Sequence, residues 1–176
     1  MRKVIVYVNL TLDGQLAGPR GELDWMIPDE EMNQALSDEL RDRVDTILAG
    51  RVFGTAAKQL FSAQAADPAS PPALVDFATW MVETPTVVFS HATTPDLAAT
   101  VAELREKPGK DMVLFGGCGT VQQFVRQNLA DEYWIKLYPT AIGEGQPMFT
   151  GTRTSLELVH SKSHASGIVT LRYYKR

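Results

Sequence analysis

The sequence has one cysteine, no long apolar run and no excess of basic residues, and each absence excludes a class of protein. A lone cysteine, Cys118 among 176 residues, forms no internal disulfide and builds no Cys-x-x-Cys zinc site, so we expect no metal. No apolar run approaches the roughly 20 residues of a membrane helix, and a strand pattern begins directly after Lys3, unlike a signal peptide. With 17 basic and 21 acidic side chains, the net charge of -4 gives no general attraction to nucleic acid or anionic membranes. These features predict a cytoplasmic protein.

Short apolar runs alternate with helical patterns, and this alternation predicts an α/β fold with a mostly parallel central sheet. The first run, of β-branched and aromatic residues, is typical of a strand buried on both faces. The predicted strands are Val4–Val8, Thr46–Ala49, Thr86–Ser90, Met112–Phe115, Glu132–Tyr138, Leu156–Ser163 and Ile168–Tyr174. A turn at residues 164–167 separates the last two, which predicts an antiparallel C-terminal hairpin.

The helices are predicted from the same periodicity. From Asp29 onward, apolar side chains at Met32, Leu36 and Leu40 form a stripe at steps of four residues, which indicates a helix. Residues 62–73 hold Ala, Pro and Ser with little apolar periodicity, so we expect a mobile excursion too short to separate two domains. With 44% hydrophobic and 22% charged residues, residues 1–176 are predicted to form a single domain.

A glycine-rich turn follows the fourth predicted strand and precedes a helix. It reads Phe115-Gly116-Gly117-Cys118-Gly119-Thr120. Glycines remove side chains where the chain turns, and the following helix points free N–H groups at the same place, a combination that binds phosphate groups. The alternative is a tight turn without a ligand. The spacing matches neither a P-loop nor a Rossmann turn.

Two other strand ends carry side chains suited to a phosphate-bearing ligand. Gly50, Arg51 and Val52 form a strand-to-helix junction, where the guanidinium of Arg51 either pairs with a phosphate or stays solvated. Ser90 and His91 end the third predicted strand and offer a hydroxyl and an imidazole, or form a simple turn. A doubly wound sheet would bring these ends to one edge, so the signals strengthen one another.

Taken in order, short motifs along essentially the whole chain resemble the dihydrofolate-reductase-like family, in particular the reductase domain of the bacterial riboflavin-synthesis deaminase-reductase. The matching segments are Leu12-Asp13-Gly14 with Ala17, Gly50-Arg51, Val88-Phe89-Ser90, Phe115-Gly116-Gly117 and Leu129-Ala130-Asp131-Glu132. The resemblance implies a three-layer α/β/α fold, a homodimer and NADPH as the cofactor. The zinc ligands of the associated deaminase domain are absent.

By this resemblance, NADPH would contact three parts of the chain. The pyrophosphate would lie at Gly116–Thr120, including Cys118 and Gly119, and the adenosine 2′-phosphate near Arg51, Ser90 and His91. Leu16 and Ala17 would lie beside the nicotinamide. The chain departs from the family pattern at Phe53, where a threonine is common, so one hydroxyl contact to phosphate is missing.

Two acids are candidates for the chemistry itself, and two other residues bear on the substrate pocket. Asp13 matches the acid of the Leu-Asp-Gly motif, and Glu30 lies near the position of the single substrate-binding acid of dihydrofolate reductases. Each is a candidate catalytic acid. The alternatives are that Asp13 is only a turn residue before Gly14 and that Glu30 is a surface acid at a helix start. Trp25 walls the substrate pocket or anchors its loop. Lys136 interrupts an apolar strand and faces a pocket or an exposed edge, and we favour the edge.

The function predicted from this resemblance is an NADPH-dependent reductase that transfers hydride to a small heterocyclic or carbonyl substrate, pterin-like or pyrimidine-like, as an aminouracil reductase does. A dihydrofolate reductase proper is one alternative, and a non-catalytic nucleotide-binding module is another.

Overall fold

Seven strands form one sheet in the computed structural model, which describes residues 1–90 and 96–176. The strands are β1 (Val4–Thr11), β2 (Val44–Gly50), β3 (Thr86–Phe89), β4 (Asp111–Gly116), β5 (Glu132–Tyr138), β6 (Leu156–Ser163) and β7 (Val169–Lys175). The helices of the described residues are α1 (Glu30–Arg43), α2 (Arg51–Ala66), α3 (Pro72–Glu83), α4 (Leu97–Glu106) and α5 (Cys118–Arg126).

The strand order is β3-β2-β4-β1-β5-β7-β6. The first five strands in this order pair in parallel, whereas β7 runs antiparallel to β5 and pairs with β6 as a hairpin. This arrangement confirms the predicted mostly parallel sheet with an antiparallel C-terminal hairpin. Because β1 lies near the middle, both of its faces are covered, which explains its unbroken apolar run.

Alternate residues of β1 contribute to two separate cores. Val4 and Val6 pack with α4 and α5 on one face of the sheet, and Ile5 and Tyr7 pack with α1 and α3 on the other. The period of two along a strand therefore produces three layers. The predicted α/β/α architecture is confirmed.

The neighbouring strands β1 and β4 send their following helices to opposite faces of the sheet. After β1, the chain enters α1, which packs with Ile5 and Tyr7; after β4 it enters α5, which packs with Val4 and Val6. Such a reversal leaves a crevice at the carboxyl ends of the two strands, where ligands of open α/β sheets bind. The glycine turn lies at this edge because it follows β4.

The expectation of a mobile excursion at residues 62–73 is wrong. Helix α2 continues to Ala66, and α3 already begins at Pro72, so only a short turn separates them. Alanine has the highest helix propensity, and proline is well tolerated at a helix start, which explains why a segment without apolar periodicity is still helical. No helix within residues 1–90 and 96–176 has the length and apolar character to cross a membrane.

Candidate cofactor and substrate site

The glycine turn has a backbone that only glycine adopts easily. Gly116 has φ 147° and Gly117 has φ 64°, both in the region that disfavours residues with a Cβ atom. Gly117 is also the N-cap of α5, so the N–H groups of Cys118 and Gly119 begin a helix and have no carbonyl four residues earlier within it. The positive end of the α5 dipole is therefore presented at the crevice.

The end of β2 meets this turn directly. Gly50 is the N-cap of α2, and an ideal Cβ atom built on Gly50 would overlap Oγ1 of Thr120. A Cβ atom built on Gly117 would lie 3.6 Å from Cα of Gly50. Two helix N-termini thus begin side by side, and we call the residues Gly50, Gly116, Gly117 and Thr120 the glycine cradle. Paired helix N-termini without side chains in the way suit a pyrophosphate.

Two side chains border the glycine cradle. The Phe53 ring lies 3.4 Å from the position of a Cβ atom on Gly116, so it occupies the space that a smaller residue would leave open. Cys118 is half-buried, and burial raises the pKa of its thiol, so the sulfur is protonated near neutral pH. A protonated, half-buried thiol is a small filler here and not a nucleophile.

A cavity of about 730 Å³ opens from the glycine cradle, within the range of small-molecule sites. It passes Leu16 and Ala17 and extends between α1, α2 and α3. Its floor is formed by the carboxyl-terminal halves of β1 and β5, where Tyr7, Asn9 and Lys136 contribute side chains. The cavity therefore has room for one ring of a cofactor next to a small second ligand.

Lys136 lies on the cavity floor, so the expectation that it faces an exposed edge is wrong. Its strand β5 is flanked by β1 and β7, and the residue is only 8% exposed. Its Nζ donates to Oδ1 of Asn33 at 3.2 Å and lies 4.8 Å from the ring centroid of Tyr7. Burial lowers the pKa of Lys136 to about 8. A lysine with such a pKa readily gains and loses its proton near neutral pH, as a proton donor must.

Several predicted cofactor and substrate residues line the cavity. They are Leu16, Ala17, Glu30, Phe115, Gly116, Gly117 and Cys118. Gly50 and Thr120 border it through the glycine cradle, while Arg51 is the first residue of α2 and is exposed, as is Val52. Ser90 directly follows β3 and is half-buried, and His91 lies outside the described residues.

Asp13 has a different environment from the one the motif predicts. Its carboxylate accepts hydrogen bonds from Oγ1 of Thr11 at 2.6 Å and from the N–H groups of Gly143 and Ile142 at 2.8 and 3.3 Å. These bonds lower the pKa of Asp13, with the Thr11 hydroxyl as the largest cause. Asp13 is exposed and is not among the described residues that line the cavity. Its contacts join the loop after β1 to the loop after β5.

Trp25 lies in the core beside that loop. Its ring packs edge-on against Tyr138 with centroids 5.3 Å apart, and its indole N–H donates to the carbonyl of Glu22 at 3.2 Å. Only 7% of Trp25 is exposed, and it does not contribute to the described wall of the cavity. Of the two interpretations, the packing supports an anchor for the loop.

The comparison with known proteins agrees with the fold. The RibD C-terminal domain family matches residues 2–170. The chain belongs to this family. RibD C-terminal domains are reductase domains, and the predicted riboflavin-type branch is thereby confirmed. Among curated relatives, YyaP of Bacillus subtilis, an uncharacterized protein, is 30% identical over 187 aligned residues, covering 98% of this chain and 95% of YyaP.

Solved structures of RibD-like proteins share the whole fold. A putative riboflavin biosynthesis protein from Shewanella sp. PV-4 has a TM-score of 0.70 at 23% identity, covering 99% of both chains. A Thermotoga maritima protein described as diaminohydroxyphosphoribosylaminopyrimidine deaminase and 5-amino-6-(5-phosphoribosylamino)uracil reductase has a TM-score of 0.67 at 12% identity. That match covers 99% of this chain and 57% of the Thermotoga chain.

Proposed function

We propose that the protein is an NADPH-dependent reductase of a small heterocyclic or carbonyl compound. The observation that carries this proposal is the glycine cradle, which opens into a cavity with a buried lysine on its floor. The cradle suits a pyrophosphate, and the cavity has space for a nicotinamide beside a second ring. Membership of a reductase family supports the same reaction class.

The residues present fit the cofactor at both of its ends. The first turns of α2 and α5 offer N–H groups to the pyrophosphate, and Leu16 and Ala17 supply an apolar surface for the nicotinamide. Arg51, exposed beside the glycine cradle, is the basic side chain we assign to the 2′-phosphate. When bound, the cofactor supplies the hydride.

Reduction of a C=N or C=O bond also needs a proton on the heteroatom, and we assign its delivery to Lys136. Its Nζ is held by Asn33 and Tyr7 on the cavity floor, so its position is fixed. Its lowered pKa makes the ammonium a better acid than an exposed lysine. In the same proposal, Glu30 binds a polar group of the substrate at the cavity mouth, and Asp13 holds the loop that carries Leu16 and Ala17.

A dihydrofolate reductase activity is the second candidate, because Glu30 lines the cavity from α1, near where the resemblance puts the single acid. Tryptophan fluorescence titrated with NADPH and NADH tests the cofactor. We expect NADPH to bind at least about tenfold more tightly, since Arg51 pairs with the 2′-phosphate. Loss of NADPH absorbance is then followed with dihydrofolate and with a panel of ketones and cyclic imines.

The outcomes separate the alternatives. Turnover of a ketone or imine but not of dihydrofolate supports the proposal. Turnover of dihydrofolate favours the second candidate. Cofactor binding without turnover of any compound favours a nucleotide-binding module, and absence of NADPH binding overturns the proposal.

We also propose a cytoplasmic homodimer of single-domain subunits spanning residues 1–176. The lone cysteine suits a reducing compartment. One sheet contains strands from both ends of the chain, which supports a single domain. Strand β6 is an exposed sheet edge with Leu158 and Val159 exposed, which suits pairing with a second copy. Light scattering should give twice the chain mass of 19.4 kDa, and a monomer mass would refute the dimer.

A further inference from the structure

The cavity has two chemically different walls. On α1, Glu30, Asn33, Gln34 and Ser37 follow the spacing i, i+3, i+4, i+7, so one polar face of the helix is turned to the cavity. The opposite side is apolar; we call Phe53, Phe61, Leu74, Phe77 and Met81, from α2 and α3, the apolar wall. A ligand that fits both walls has a polar edge and an apolar face or substituent.

The apolar wall is held together by aromatic packing. Phe61 and Phe77 pack edge-on with ring centroids 5.6 Å apart, and Phe77 lies 6.4 Å from Phe115 at the start of the glycine turn. Planar rings pack well against such a surface, by stacking or edge-on contacts. A hydrated sugar phosphate would lose water there without gaining hydrogen bonds.

Charge in the cavity also disfavours a phosphorylated substrate. Among the described residues that line it, Lys136 is the only basic side chain and Glu30 the only acidic one. Of the three N–H groups of Lys136, one donates to Asn33, and the ammonium lies over the ring of Tyr7, so a phosphate dianion would meet a single, partly engaged cation. Helix α1 begins with Glu30, which lines the cavity. Helix α3 begins at Pro72 after its N-cap Pro71, and neither proline has an N–H to offer. Outside the glycine cradle, a phosphate dianion therefore meets no built site in the described part of the cavity.

The unsatisfied atoms of the cavity are hydrogen-bond acceptors. Oδ1 of Asn9 and Oε1 of Gln64 are buried without a hydrogen-bond partner, and both residues line the cavity. Asn9 is paired in register with Lys136 across β1 and β5, so an acceptor and a donor lie next to each other on the floor. A cyclic amide, with adjacent N–H and C=O groups, matches this pair. Phosphate oxygens accept hydrogen bonds but do not donate them, so they do not match the two acceptors that lack a partner.

We propose that the substrate is an uncharged planar lactam ring with an apolar substituent in place of a sugar phosphate, bound with its amide edge on Asn9 and Lys136 and its apolar part on the apolar wall. This inference rests on the proposed function, because it leaves the glycine cradle to the cofactor. It separates this chain from enzymes whose substrates carry a ribose phosphate.

Three ligands built on the same tricyclic skeleton test the inference. Lumichrome is an uncharged lactam ring with methyl groups, riboflavin adds a neutral polar chain, and riboflavin 5′-phosphate adds the phosphate to that chain. Quenching of ligand fluorescence gives the affinity of the full chain for each, with and without saturating NADP⁺. We expect lumichrome to bind at least about tenfold more tightly than riboflavin 5′-phosphate, with riboflavin between them.

Single substitutions test the two proposed ligand contacts separately. Lys136→Met and Asn9→Leu should each weaken lumichrome binding about tenfold, whereas the matched control Lys58→Met, an exposed lysine of α2, should change it less than twofold. Gln64→Arg adds a cation at the cavity and should narrow the preference for lumichrome over riboflavin 5′-phosphate. Circular dichroism confirms that each variant is folded.

The outcomes are distinguishable from failure of the proposed function. If riboflavin 5′-phosphate binds as well as lumichrome, or if no ring ligand binds while NADPH does, the substrate inference is overturned and the reductase proposal stands. If NADPH does not bind, the reductase proposal is overturned, and the ratio of the two affinities still decides whether the cavity selects uncharged rings.

Discussion

Replacing Lys136 with methionine removes a buried positive charge and keeps a side chain of similar length. Burial lowers the pKa of Lys136 from 10.5 to about 8. One pKa unit corresponds to about 1.4 kcal/mol, so the charged ammonium costs the folded state roughly 3 kcal/mol below pH 8. Removing the ammonium avoids this cost, but the variant also loses the contacts with Asn33 and Tyr7, which reduces the gain in stability by roughly 1–2 kcal/mol. We therefore expect Lys136→Met to be more stable than the natural protein by about 1–2 kcal/mol at pH 7.

The pH dependence identifies the cause. Between about pH 8 and 10.5, the unfolded chain keeps a proton on Lys136 that the folded chain has lost. The free energy of unfolding of the natural protein therefore gains up to about 1.4 kcal/mol per pH unit relative to the variant. The advantage of Lys136→Met is complete below about pH 8. It should disappear by about pH 9.5, and at about pH 10 the natural protein should be the more stable of the two.

Urea unfolding followed by tryptophan fluorescence, at several values from about pH 7 to about pH 10, measures this difference. Lys58→Met, on the exposed side of α2, is the control and should change the free energy of unfolding by less than about 0.5 kcal/mol at every pH. A stability difference between Lys136→Met and the natural protein that does not vary with pH would refute the assignment of a buried, desolvated ammonium.

The same variant tests the role in the reaction. We expect kcat/KM to fall by about 100-fold or more, with NADPH affinity changed less than about twofold. In the natural protein, kcat/KM should decline above about pH 8, because Lys136 then loses the proton that it donates. Lys136→Met with normal kcat/KM would assign the proton to another group.

Three further substitutions test the remaining parts of the site. Gly117→Asp should weaken NADPH binding by roughly 100-fold, since a carboxylate would repel the pyrophosphate. Gly151→Asp is the matched control for backbone strain, because Gly151 has a similar φ of 68° and open space around it, and it should leave the NADPH affinity unchanged. Glu30→Gln should raise the KM of the substrate about threefold in steady-state kinetics, whereas Asp13→Asn should mainly lower the melting temperature. If Asp13→Asn instead raises KM and Glu30→Gln instead lowers the melting temperature, Asp13 is the acid that contacts the substrate. Trp25→Ala should cost about 3 kcal/mol in urea unfolding because it empties a packed site against Tyr138, and a cost below about 1 kcal/mol would contradict its role as an anchor.

The local features of the sequence predict the strands and the glycine turn well. The run at Val4–Val8 and the hairpin at the C-terminus follow from side-chain patterns within a few residues, and the structure has both. The turn at Gly116 and Gly117 is likewise a local property, because positive φ angles favour glycine. Gly50 and the glycine turn each follow a short apolar run, so the sequence alone indicates both as strand ends.

The sequence interpretation failed where long-range contacts decide the outcome. Lys136 is a charged residue in a strand, a pattern common to exposed edges. It is buried because β7, more than thirty positions later, pairs with the outer side of β5. Asn9, its neighbour in the sheet, is likewise a polar residue within an apolar strand, β1. The two polar residues together could have indicated a polar floor of a cavity. That two interruptions face each other depends on the register of β1 and β5.

The sequence by itself determined the order of strands and helices, the glycine turn and, through its short motifs, the family. Those properties depend on neighbouring residues, whose conformations are coupled through the backbone. The tertiary structure alone decided that Gly50 meets Gly117, that Asp13 binds Gly143, and that Lys136 and Asn9 share the cavity floor. Those pairs are separated by many residues along the chain, and only the packing of the sheet and its helices brings them into contact.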